Sequence, residues 1–108
     1  MYLVSVQEER AIVEASLGGR VDSLEMRAFS EDLQEVLESL GASGFYLLID
    51  HSKAKSLDIE SAKILSDLKD LAFQYGAEKI VTLASDEDEI AKHTTSRLQQ
   101  VLEGREEF

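Results

Sequence analysis

Asp50-His51-Ser52 places the residue types of a nucleophilic triad in three consecutive positions. A serine attacks only when a base takes its proton and a carboxylate orients that base, so the three side chains must converge. Neighbours in an extended segment point to opposite sides, and the run therefore argues against hydrolysis. No serine stands in a G-x-S-x-G turn; Ser16 lies in Glu14-Ala15-Ser16-Leu17-Gly18. Just downstream, Lys53 and Lys55 alternate with Ser52 and Ser56 ahead of a helix start, where the dipole favours anions. The glycines that cradle a phosphate are missing. The segment reads as a solvated loop whose lysines offset nearby carboxylates, or as a shallow anion site. Asp86-Glu87-Asp88-Glu89 is the one metal-like run. Four consecutive acids do not converge, EF-hand spacing is absent, and acids in a helix's first turn serve its dipole. His93, beside Thr94 and Thr95, has no second ligand in view. No catalytic group, metal set or cofactor is expected.

Composition narrows the partners. The 108 residues carry 22 acidic and 11 basic side chains, a net charge of −11. Nucleic acid and anionic membranes need basic surface, so neither is expected as a partner. Cysteine is absent, which removes disulfides and thiolate chemistry, and only two histidines are present. The first residues lack the basic flank and apolar stretch of a signal peptide, and no apolar run reaches membrane-spanning length. The expectation is a cytoplasmic, single domain over residues 1–108, without linker or repeat.

The elements that must position these residues are well punctuated. Residues 2–6 and 11–17 are β-like runs separated by Gln7-Glu8-Glu9-Arg10, which suits an antiparallel hairpin broken at Gly18-Gly19. Asp22 with Glu25 reads as a capping box, followed by Phe29, Leu33, Val36, Leu37 and Leu40 at helical spacing and a stop at Gly41. Phe45-Tyr46-Leu47-Leu48-Ile49 is continuously apolar, as in a strand buried on both faces, and Asp50 is expected to end it. A second helix starts near Ser56 or Asp58, carries Ile64, Leu65, Leu68, Leu71 and Ala72, and ends at Tyr75-Gly76. Residues 79–84 form another buried strand. Ser85 with Asp88 caps a last helix carrying Ile90, Leu98, Val101 and Leu102, ended by Gly104. The fold class is α/β: a mixed, mostly parallel four-stranded sheet with elements in the order β-β-α-β-α-β-α. Ligands of such sheets gather beyond the strands' carboxyl ends, here the loops 18–22, 50–58 and 85–88.

Taken in order, Gly18-Gly19-Arg20-Val21, Leu48-Ile49-Asp50-His51-Ser52, Leu57-Asp58-Ile59-Glu60-Ser61 and Gly76-Ala77-Glu78-Lys79-Ile80 resemble the STAS domain. That fold is shared by anti-sigma factor antagonists and the cytoplasmic tails of sulfate transporters. The resemblance implies a non-enzymatic regulatory domain that docks on a protein partner such as an anti-sigma or kinase-type regulator. In the antagonists a hydroxyl just after the Asp that opens the second helix is phosphorylated. Matching that Asp to Asp58 puts Ile59 and Glu60 at the hydroxyl positions and Ser61 at the glycine. Glu60 would then supply a fixed negative charge, about half that of a phosphate. The resemblance also implies a further strand and helix, whereas the chain ends at Glu106-Glu107-Phe108, as in a short or shortened member. A lipid-binding branch similar to the SEC14-related STAS-like proteins explains the lost acceptor equally well.

The expected contact surface is therefore Asp50, Ser52, Lys53, Lys55, Ser56, Asp58, Glu60 and Ser61. The alternative is a module of the same fold holding an anion, nucleotide or lipid between the sheet and the second helix. Self-association through an uncovered sheet face or edge stays open.

Overall fold

The computed structural model describes residues 1–40, 44–55, 57–83, 101 and 103–107. The hairpin forms as expected: strands β1 (Tyr2–Gln7) and β2 (Ile12–Gly19) pair antiparallel from Tyr2↔Leu17 to Gln7↔Ile12. A 3₁₀ turn, Glu8–Arg10, joins them. Ala11 closes that turn at a φ of 52°, a left-handed conformation that costs a β-carbon about 1–2 kcal/mol. The second strand does not break at Gly18-Gly19. A register irregularity between Ser16 and Gly18 absorbs the flexibility, and pairing resumes to Gly19↔Ala54.

Helix α1 (Ser23–Ser39) opens on the expected cap, with the Asp22 carboxylate accepting the Glu25 N–H at 2.8 Å. Its buried stripe is Met26, Phe29, Leu33 and Leu37, with Val36 and Leu40 half-buried beside it. The expected stop at Gly41 lies outside the described residues. Helix α2 (Ile59–Gln74) is capped by Asp58, which accepts the Ser61 N–H at 2.7 Å. Leu65, Leu68 and Ala72 are buried, and Gly76 leaves the helix at a φ of 111°. The helices lie side by side, tied at one end by Arg27 to Glu60 (2.7 Å) and at the other by the Tyr75 hydroxyl donating to Glu38 (2.8 Å).

Strand β3 (Phe45–Ala54) pairs in parallel with β2 and with β4 (Ala77–Leu83), and β4 pairs in parallel with β5 (Glu106–Glu107). The sheet order is β1-β2-β3-β4-β5. Three expectations need correction. The sheet has five strands, because the short tail at Glu106 docks beside Ile80 instead of ending free. The third strand continues through Ala54, since Asp50 bonds within its own strand and leaves the backbone to pair on. It is also covered on one face only: Phe45, Leu47 and Ile49 are buried, whereas Tyr46 is 48% exposed and Leu48 half-buried. The expected third helix, capped at Ser85, falls outside the described residues apart from Val101; Gly104, its expected stop, has a φ of 75°.

Both helices cover the same side of the sheet. The rows beneath them read Val4–Ala15–Ile49–Thr82 and Val6–Val13–Leu47–Ile80–Glu106 across the strands. On the other side the rows read Leu3–Ser16–Asp50–Leu83, Ser5–Glu14–Leu48–Val81–Glu107 and Gln7–Ile12–Tyr46–Lys79. That side is a mixed polar and apolar surface with no described element over it.

Candidate functional site

The residues expected to act together divide between the two faces of β3. Strand alternation buries His51 completely beneath the helices and sends Asp50 and Ser52 to the open face. Asp50 accepts from the Ser52 hydroxyl at 2.6 Å and from the Ser52 N–H at 2.9 Å. Those two bonds hold its carboxyl below the usual range, helped by the Lys53 charge. His51 cannot reach this pair, so the three residue types do not form a proton-transfer chain. Burial and the Lys69 ammonium push the His51 imidazole down to about 4.

Asp50 and Lys53 share a cavity of about 410 Å³ with Met1, Tyr2, Leu3, Ser16, Leu17 and Gly18. It lies at the carboxyl ends of β2 and β3, where ligand sites of open sheets cluster. A smaller depression of about 230 Å³ continues from it over Ser5, Glu14 and Leu48. The space between sheet and α2, where a ligand was expected in the alternative reading, is filled by Leu65, Leu68 and Ala72. Segment 51–54 is strand, not loop, and only Lys55 to Asp58 remain as the connection. The Lys55 N–H is tied to the Gly19 carbonyl at 2.9 Å, while both lysine side chains face solvent. Ser56 lies outside the described residues.

At the start of α2 the sequence determines a different surface. The cap bond from the Ser61 backbone lowers the Asp58 pKa and fixes the first turn. Ser61 itself is fully buried, so its hydroxyl is out of reach of a modifying enzyme while the helix end is folded. Ile59 is 83% exposed. Glu60, exposed beside it, is held by Arg27 of α1. One turn before Arg27, Leu24 is 76% exposed. The end of the helix layer thus presents two bulky apolar side chains on helices joined by an ion pair.

Sequence reasoning missed the burial of Lys69, Thr82 and Glu106; His51 and Ser61 are also buried. Lys69 was visible in principle, because it occupies the apolar stripe of Leu65, Leu68 and Ala72. Glu106 carries no such signal, since two strand residues have no period.

Among the described residues no three His, Cys, Asp or Glu side chains come together as a metal-holding group. Asp86 to Glu89 and His93 lie outside them. No described helix is long and apolar enough to cross a membrane. No family model matches the chain, and no curated protein matches it.

Proposed function

We propose that the chain is a non-enzymatic, STAS-like regulatory domain of the cytoplasm that acts by docking the start of α2 on a protein partner of the anti-sigma or kinase-like regulator type. The observation that carries this reading is Ile59, a large apolar residue left in water at a helix end that Asp58 holds rigid. Burying such a side chain in a partner's pocket is worth about 1.5–3 kcal/mol, and a pre-formed helix end has little order left to lose on binding. Glu60 adds a fixed negative charge at the position where the resemblance places a phosphoacceptor. Its ion pair with Arg27 is exposed, so a competing base on the partner can displace it at little cost. Lys53 and Lys55 extend the contact at the end of β3, whereas Asp50 and Ser52 face the other side of the sheet.

The test compares the wild-type chain with Glu60→Lys and Ile59→Asp as baits in lysate of the source cells. Both variants are expected to keep the wild-type circular dichroism and melting temperature and to lose the recovered partner. Equal recovery by both variants overturns the reading.

The cavity beside Asp50 and Lys53 favours a second reading, a module for a small ligand with one polar and one apolar end. A thermal-shift panel of nucleotides and fatty acids separates the two readings. A ligand at 100 times its dissociation constant adds about 2.7 kcal/mol of stability.

A further inference from the structure

Strand β1 is an edge of the sheet, and among the described residues it pairs with β2 alone. Met1 and Gly18 exchange both backbone hydrogen bonds, with the Gly18 N–H donating to Met1 at 2.8 Å and the Met1 amine to Gly18 at 3.1 Å. In an antiparallel ladder such pairs alternate with non-bonded ones, so Leu3, Ser5 and Gln7 direct their backbone groups at β2. Tyr2, Val4 and Val6 therefore direct their N–H and C=O groups outward. Natural edges are ordinarily blunted by lysine, proline or a bulge. This one, Tyr-Leu-Val-Ser-Val-Gln, has no charge, no proline and continuous pairing along its length.

The side-chain charges beside the edge come from α1 and are acidic, and the Met1 ammonium at the start of the edge is held by Glu25. Helix α1 runs along β1, with Tyr2 edge-on to Phe29 and its hydroxyl donating to Asp32. Glu25, Glu31 and Asp32 are all close enough to help raise the Tyr2 pKa. Glu35, also exposed, follows Glu31 by one turn of the helix. The single base of α1, Arg27, is committed to Glu60 on the opposite flank. On the open face of the sheet, Glu14 stands across from Ser5.

We infer that β1 receives an extended, lysine- or arginine-bearing segment of another protein as an added strand. Main-chain hydrogen bonds to Tyr2, Val4 and Val6 supply the attachment, and alternate basic side chains reach Glu31, Asp32 and Glu35. A second copy of this chain fits less well, because it brings the same acids of α1 against themselves. This surface is separate from the start of α2, and neither proposal depends on the other.

The probe is a fluorescein-labelled, end-capped Lys-Val-Lys-Val-Lys-Val-Lys peptide, titrated by anisotropy, with hydrogen exchange read at each amide. The lysine probe is expected to bind, to protect the amides of Tyr2, Val4 and Val6, and to lose affinity as salt rises. Its glutamate counterpart should bind at least about tenfold more weakly. Val4→Pro removes the central outward N–H at a position where an edge tolerates proline, and should abolish binding. The exposed double variant Glu31→Lys/Glu35→Lys, whose folding does not depend on those side chains, should weaken it about tenfold. Absence of lysine-probe binding, binding without protection of those three amides, or unchanged affinity in the Glu31→Lys/Glu35→Lys protein overturns the inference. So does a dimer of the free chain that Val4→Pro dissociates, which would show the edge already taken by a second copy.

Discussion

The ammonium of Lys69 in α2 and the carboxylate of Glu106 in β5 lie 3.4 Å apart, and neither side chain has any exposure to water. The pair fastens the two-residue strand β5 beneath α2, at the end of the otherwise apolar row Val6–Val13–Leu47–Ile80. Desolvating two charges cancels most of their attraction, so the pair adds little net stability, but each charge depends on the other. Glu106→Ala is expected to destabilise the chain by about 3–5 kcal/mol, because it removes the carboxylate that faces a buried ammonium. The double variant Lys69→Met/Glu106→Leu should match or exceed wild-type stability. Urea unfolding of the three proteins checks this, and a double variant as weak as the single one contradicts it.

His51 makes stability depend on pH in a window of its own. Its folded pKa of about 4 lies below the ordinary 6.5, chiefly through burial and then through Lys69, with Asp50 opposing. The unfolded chain takes up the proton near pH 6.5 and the folded chain does not until about pH 4. The stability contribution is thus complete above pH 6.5 and is lost as pH falls towards 4, by up to about 3 kcal/mol. Asp50 and Asp58, whose pKa values are lowered from 3.8, act only below that window. His51→Asn should flatten the urea-midpoint profile between pH 6.5 and 4 while leaving the fall below pH 4.

The elements legible in the sequence were those with local grammar. Asp22 announces its helix through a side chain that bonds a backbone N–H three residues on, and of the two starts open for the second helix, Ser56 or Asp58, the same bond forms at Asp58. The antiparallel pairing of β1 with β2 follows from a four-residue polar gap. What could not be read depends on distant partners. The continuation of β3 past Asp50 rests on pairing with Gly18 and Gly19, and the strand at Glu106 rests on Ile80 and Lys69. The same holds for the candidate site. Alternation along β3 separates His51 from Asp50 and Ser52 as the pattern requires. The exposure of Ile59 and Leu24 is set by where α1 and α2 meet, which no local pattern encodes.

Asp58 couples the fold to the proposed docking surface. Its carboxylate supplies the acceptor for one of the four helix-end N–H groups that have no partner within α2. Asp58→Ala is expected to cost about 1 kcal/mol, and Asp58→Asn only a few tenths, because asparagine caps nearly as well. Thermal melts give the stabilities. Hydrogen exchange at the Ser61 amide should rise sharply in the alanine variant and little in the asparagine variant.

The paired glycines at the end of β2 have different roles despite their adjacency. A β-carbon on either would meet open space, so packing does not distinguish them. Backbone conformation does: Gly19 has a φ of 69°, whereas Gly18 does not lie in the left-handed region. Gly19 also presents its carbonyl to the Lys55 N–H at 2.9 Å, which ties the end of β2 to the end of β3. Gly19→Ala must either hold a left-handed alanine or give up that tie, and is expected to destabilise by about 1–2 kcal/mol. Gly19→Asn should cost less, since asparagine tolerates this conformation. Gly18→Ala should be neutral or stabilising by up to about 1 kcal/mol, because it restricts the unfolded chain without straining the folded one. Equal destabilisation by the two alanine variants would mean that the register irregularity, and not the left-handed turn, is what requires glycine here.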